Sequence, residues 1–158
     1  NDVIGLSQRG GTIWGSVKMG EKIHSPNIAP GDADILIAFE KLESKRWKHM
    51  LKQKDSIAII NEYEIAPTLV QQGDKEYPED VLENMKQKSE VISLDATATG
   101  AKMGNPAIAN ILLLGIAARY MDISVETWFK TFEQYLPAKF VELNKKAFMY
   151  GYEQEYLK

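Results

Sequence analysis

The chain alternates between short continuous apolar runs and longer stretches in which apolar residues recur every three to four positions. Ala33-Asp34-Ile35-Leu36-Ile37-Ala38-Phe39, Ser56-Ile57-Ala58-Ile59-Ile60-Asn61 and Glu90-Val91-Ile92-Ser93-Leu94-Asp95 are of strand length and rich in β-branched residues. Such runs suit strands of a parallel sheet that are covered on both faces. Residues 41–53 are polar, with Leu42, Trp47, Met50 and Leu51 spaced for a helix. Pro78 opens a second helix reaching Lys88, since proline is favoured in a first turn. Asn105 reads as a cap with Pro106 at the first helical position, and residues 107–120 are apolar nearly all round, which predicts a buried helix. Ser124 caps a further helix with Glu126 placed against its dipole, and Pro137 starts a last one running to about Tyr156.

The beginning of the chain reads differently. Val3-Ile4-Gly5 is the end of a strand, and residues 12–19 set Ile13, Gly15, Val17 and Met19 against Trp14, Ser16 and Lys18 with a period of two. Gly20-Glu21 is a turn, from which Lys22-Ile23-His24 returns as a hairpin partner. Residues 25–31, with Pro26 and Pro30, form a loop, and residues 65–73 are irregular. Between the first two runs, Gly5-Leu6-Ser7-Gln8-Arg9-Gly10-Gly11-Thr12 describes a tight loop with exposed backbone. Glycine is needed where the chain takes positive φ or another group comes close. The neighbouring Arg9 offers a rigid fork of donors to a carboxylate or phosphate.

Strands alternating with helices predict an α/β fold, a three-layer sandwich around a mostly parallel sheet, in one domain over residues 1–158. Ligands on such sheets bind beyond the carboxyl ends of the strands. The loops after Gly5, Glu40, Asn61 and Asp95 are therefore the places expected to carry function.

Composition narrows the chemistry. With 158 residues, 44% hydrophobic and 26% charged, the chain can bury a sizeable core. A net charge of −3 argues against a general nucleic-acid binder. The absence of cysteine excludes disulfides and thiolate-held zinc or iron–sulfur clusters within these residues, and fits a cytoplasmic protein. The longest apolar stretch, 111–118, contains Gly115 and is far too short to span a bilayer.

No catalytic apparatus is visible. His24, in the hairpin, reads as structural, and His49, beside Lys48, as a surface residue. No zinc-protease pattern, dinucleotide fingerprint or phosphate-binding loop is complete. Asp95-Ala96-Thr97-Ala98-Thr99-Gly100 is either a phosphate-accepting turn or a strand-to-helix connection with polar caps, the second being the simpler reading. Gly104 ends a helix without needing a ligand. Asn110 and Asn144 lie on apolar helix faces and are expected to bond buried backbone. Trp47, Trp128, Tyr135, Tyr150, Tyr152 and Tyr156 read as packing, and Lys145-Lys146 as a solvated face.

Longer motifs carry a resemblance. The 5–12 loop, Ser25-Pro26, Gly31-Asp32-Ala33-Asp34-Ile35-Leu36-Ile37-Ala38-Phe39-Glu40-Lys41-Leu42-Glu43, Tyr77-Pro78 and Asp95-Ala96-Thr97 resemble the gamma-type domain of 2-oxoacid:ferredoxin oxidoreductases. So do Met103-Gly104-Asn105-Pro106-Ala107-Ile108-Ala109-Asn110, Leu114-Gly115 and Leu143-Asn144-Lys145-Lys146-Ala147-Phe148-Met149-Tyr150-Gly151-Tyr152. Within the family, the Gln-Arg-Gly-Gly loop and the strand ending in Phe39-Glu40 fit the branch of the indolepyruvate ferredoxin oxidoreductase beta subunit.

The resemblance implies a Rossmann-like subunit that binds no cofactor and is inactive alone. A large alpha subunit would carry thiamine diphosphate, magnesium and iron–sulfur clusters. The complex would decarboxylate an aryl pyruvate oxidatively with coenzyme A, giving an acyl-CoA, carbon dioxide and two reduced ferredoxins. Ser7, Gln8, Arg9, Gly10 and Gly11 become the candidate subunit-interface or coenzyme-A-side loop, and Asp95, Thr97 and Asn105 a secondary one. No catalytic or metal-binding residue, nucleic acid or membrane is implied in this chain, and a homodimer is plausible for the isolated subunit. The family opens with a strand, a Gly-x-Gly-Gly-Gln-Gly loop and a helix absent from this sequence, so the domain reads as N-terminally incomplete. Alternative readings are an independent nucleotide- or coenzyme-A-binding α/β protein, a non-catalytic interaction module, and the equivalent subunit for pyruvate or 2-oxoglutarate.

Overall fold

The computed structural model describes residues 2–4, 13–66, 73 and 76–153, with backbone alone for 2–4. Its centre is a parallel sheet of β3 (Ile35–Ala38), β4 (Ile57–Asn61) and β5 (Glu90–Leu94), in that spatial order. The register sets Ile37 opposite Ile59 and Ile59 opposite Ile92. The apolar runs end up where a doubly covered strand requires them: Ala58, Ile59 and Ile60 of the middle strand are fully buried.

Helices cover both faces. On one side α1 (Lys41–Trp47), a 3-10 turn (Lys48–Met50) with the Leu51 that follows it, and α2 (Val81–Lys86) close over Leu36, Ala38, Ala58 and Ile60 through Met50, Leu51, Leu82 and Met85. On the other, α3 (Ala96–Lys102) and α4 (Ala109–Ala118) cover Ile35, Ile37, Ile59 and Ile92 through Ala96, Leu112, Leu113 and Ile116. The split follows from the period of two, which sends odd and even residues of β4 to opposite faces.

Behind α4, away from the sheet, α5 (Val125–Tyr135) and α6 (Ala138–Tyr152) enclose a third cluster around Phe132 and Phe148 that contains no strand residue. They add a helical layer to the three expected. Helix α4 is apolar nearly all round, Asn110 excepted, because its two flanks face the sheet and α6. Its crossing with α6 is exceptionally close. A Cβ at Gly115 would lie 2.1 Å from the Phe148 carbonyl oxygen, and one at Gly151 2.1 Å from the Leu112 carbonyl oxygen.

Several element boundaries differ from the sequence reading. Residues 22–24 form no strand: β2 (Ile13–Gly15) pairs antiparallel with β1 (Asp2–Ile4), in a two-stranded sheet separate from the parallel one. The stretch 22–24 offers one apolar side chain, Ile23, and it is 47% exposed, so no burial drives a return strand. Pro78 precedes its helix by three residues; the helix starts at Val81 after Asp80, whose carboxylate accepts from Lys45 Nζ at 2.9 Å. The helix from Lys41 tightens into the 3-10 turn after Trp47, because Leu51 must turn in to bridge Ala33. The last helix ends at Tyr152, and Tyr156 lies outside the described residues. The caps at Asn105 and Ser124 form as expected, with their side-chain oxygens accepting from Ala107 N at 2.9 Å and Thr127 N at 3.3 Å.

Candidate functional site

The parallel strands direct Phe39 and Glu40, Asn61 to Ile65, and Leu94 with Asp95 to one edge of the sheet. Two polar side chains hold this edge together. Asn61, 2% exposed, ends the middle strand; its amide donates to the Phe39 carbonyl at 3.1 Å and to Thr97 Oγ1 at 2.9 Å. Its Oδ1 accepts from Ala96 N at 2.9 Å. One side chain thus joins the ends of β3 and β4 to the start of α3, where a buried amide would be costly without partners.

Glu40, 8% exposed, is the second. One carboxylate oxygen caps α1 by accepting from Glu43 N at 2.8 Å. The other accepts from Tyr77 Oη at 2.6 Å and Ile65 N at 3.2 Å. Burial of the Tyr77 ring, its hydrogen bond to Glu40 and the nearby negative charges of Glu40 and Glu64 push the phenol well above its ordinary pKa, so Tyr77 is a fixed proton donor. Lys41 pairs with Glu64, lies 5.5 Å from the centre of the Tyr77 ring, and donates its backbone N–H to the Tyr63 carbonyl at 3.0 Å. Ser93 donates to Glu62 at 2.7 Å. Against this satisfied polar floor, Phe39, Tyr63 and Ile65 are 58%, 46% and 58% exposed.

The candidate residues divide as follows. Ser7, Gln8, Arg9, Gly10 and Gly11 lie outside the described residues. Asp95 and Thr97 lie on the edge, beside Asn61. The Asp95 carboxylate accepts from Ala98 N at 2.7 Å, so the first turn of α3 is capped from within. Asn105 is engaged at the far end of that connection as the cap before Pro106, after Gly104 at φ 104°. Glu40 and Asn61 mark two of the loops expected to carry function and Tyr77 belongs to one of the motifs that carry the resemblance, but none of the three is among the candidate site residues read from the sequence. Their signal was there: a polar residue directly ending a buried apolar run is a candidate for tying the strand end down.

The remaining assignments sort by packing. Asn144 is buried and donates to the Phe140 carbonyl at 2.8 Å, as expected. Asn110 is not buried; it is exposed and accepts from Ile111 N at 2.8 Å, because its side of α4's first turn is left uncovered. Lys145 is less solvated than expected, pairing with Glu133 at 2.6 Å and lying 5.3 Å from the Phe129 ring. His24 and His49 are exposed, the latter stacked on Trp47 at 5.8 Å. Trp47 also packs on Trp14 at 4.8 Å, and Trp128 on Phe148 at 5.7 Å. Tyr135 is 73% exposed, so it does not pack in the core. Among the described residues, no group of three or more histidine, aspartate or glutamate side chains is placed to hold a metal. No helix among them is long and apolar enough to cross a membrane.

The family model of pyruvate ferredoxin/flavodoxin oxidoreductase matches residues 1–154. The chain belongs to this family. It is 30% identical over 155 residues to the indolepyruvate oxidoreductase subunit IorB of Archaeoglobus fulgidus, covering 95% of this chain and 76% of that one. It is 28% identical over 158 residues to the IorB of Pyrococcus horikoshii, covering 95% and 77%. Among solved structures, the gamma subunit of a keto/oxoacid ferredoxin oxidoreductase from Geobacter sulfurreducens superposes with a TM-score of 0.57 at 23% identity. That match covers 78% of this chain and 64% of that subunit, just under two thirds of its length. The family fold is therefore an α/β fold with helices on both faces of a parallel sheet, as the apolar runs predict.

Proposed function

We propose that this chain is the non-cofactor-bearing subunit of a 2-oxoacid ferredoxin oxidoreductase acting on indolepyruvate or another aryl pyruvate. It assists a larger subunit in coenzyme-A-dependent oxidative decarboxylation to an acyl-CoA and is inactive alone. The observation that carries this reading is similarity to indolepyruvate oxidoreductase IorB subunits along 95% of the chain. Two physical points support it. With no cysteine in the sequence, any thiolate-held electron-transfer cluster must be held outside these residues. At the carboxyl edge, Glu40 and Asn61 are committed to backbone and side-chain partners of this chain, so they frame a surface rather than act as acids or bases. Ser7, Gln8, Arg9, Gly10 and Gly11 are proposed as the interface or coenzyme-A-side loop, and Asp95, Thr97 and Asn105 as a secondary loop. Ferredoxin would be met through the complex, in the cytoplasm.

The test is anaerobic co-purification of the full-length gene product with the large subunit, followed by coenzyme-A-dependent dye reduction across a panel of 2-oxoacids. The expected outcome is a stable complex with highest kcat/KM on aryl pyruvates and no turnover by the small subunit alone. Arg9→Ala is expected to weaken complex formation or coenzyme A use. Preference for pyruvate or 2-oxoglutarate overturns the substrate assignment, and no complex or turnover overturns the subunit assignment.

A further inference from the structure

Resting on that functional reading, we propose that Phe39, Tyr63 and Ile65 form the surface on which the cofactor-bearing subunit docks, and that the facing surface is apolar at its centre and basic at its rim. The three side chains share the carboxyl edge of the sheet and are 58%, 46% and 58% exposed. Phe39 ends the apolar run that starts at Ala33, where solvent is the least favourable surrounding for an aromatic ring.

The backbone beneath them is pinned at each residue. The Phe39 carbonyl accepts from Asn61, the Tyr63 carbonyl from Lys41 N, and Ile65 N donates to Glu40. Glu62 N adds a bond to the Leu94 carbonyl at 2.9 Å. Glu40 and Asn61 thus spend buried hydrogen bonds on fixing the backbone of residues whose side chains contribute little to the core. A fixed backbone presenting exposed aromatic and aliphatic side chains lowers the ordering cost of association. Large aromatic anchors of this kind dominate binding energy at protein interfaces.

Charge selects the occupant. Among the described residues, the exposed carboxylates Glu62, Glu64 and Asp95 lie at the same strand ends, and Lys41 pairs with Glu64. The excess is negative, which disfavours an anionic ligand and favours lysine and arginine on a protein surface.

The test uses the full-length small subunit and the separately purified large subunit, with the dissociation constant measured at low and at physiological salt. Phe39→Ser, Tyr63→Ser and Ile65→Ser are each expected to weaken binding about tenfold or more. Glu62→Lys is expected to slow association most at low salt. Tyr135→Ser, on an exposed aromatic of α5, is expected to leave binding unchanged. Hydrogen exchange on the wild-type complex needs no variant, and protection is expected over residues 39–41 and 62–66. Wild-type subunits that do not associate overturn both the functional reading and this surface. Wild-type association with patch variants within about twofold, or with no protection over these residues, overturns the surface alone. Patch variants that abolish self-association of the isolated subunit and leave the heteromeric affinity intact overturn it in favour of a second copy.

Discussion

Single side chains decide how the carboxyl edge is held. From a position 2% exposed, Asn61 gives the Phe39 carbonyl, Thr97 Oγ1 and the Ala96 N–H the hydrogen-bond partner that water would otherwise supply. Asn61→Ala leaves the Ala96 N–H and the Phe39 carbonyl without this partner, at a cost of about 2 kcal/mol in a denaturant titration. Asn61→Asp keeps the shape but loses both donors, and is expected to cost at least as much. The Glu40–Tyr77 contact gives a pH signature. Folding raises the Tyr77 pKa, so above the ordinary value of 10.0 the unfolded chain releases a proton that the folded chain retains. Stability is then present in full below that pH and falls as pH rises beyond it. Tyr77→Phe is expected to reduce the alkaline slope in urea titrations carried out on either side of that value, and an unchanged slope would place the titrating group elsewhere.

At the scale of elements, the α4–α6 crossing rests on two glycines whose missing Cβ atoms let the helix backbones touch. Alanine would gain about 1 kcal/mol of helix propensity at either position. The 2.1 Å approach to a carbonyl oxygen outweighs it, because relief requires the whole helix to move. Gly115→Ala and Gly151→Ala are each expected to destabilise by about 3 kcal/mol in chemical denaturation, with loss of the near-ultraviolet signal of the Trp128–Phe148 cluster. Gly20→Ala is the control, since no atom lies within 4 Å of the added carbon. Helix α3 depends instead on its cap: Asp95→Ala removes the acceptor for Ala98 N and is expected to cost about 1 kcal/mol.

For the whole molecule, stability is graded from the middle strand outward. Ala58, Ile59 and Ile60 have no exposed surface and bond on both sides, whereas residues 16–27 are exposed almost throughout. Native-state hydrogen exchange is expected to give the slowest amides in β4 and the fastest in 16–27. Fast exchange at β4 would contradict a sheet with this strand at its centre. The architecture also separates tasks: one edge of the sheet carries the pinned apolar surface, while the layer behind α4 closes a core of its own around Phe148.

Sequence alone determined the three parallel strands, the caps at Asn105 and Ser124 and the buried α4, because each follows from local spacing and the burial it demands. The motifs extending from the glycine loop to the Gly151 region carried the family as well, since they preserve residue order along the whole chain. The boundaries at Trp47 and Val81, and the failure of residues 22–24 to form a strand, depended on what lay across space to bury them. The same holds for Asn110, left exposed on a helix that is otherwise covered, and for Lys145, drawn against Phe129. Only the tertiary structure joined Glu40, Asn61, Ile65 and Tyr77 at one edge, because hydrogen bonds between residues 25 and 37 positions apart leave no periodicity in the chain.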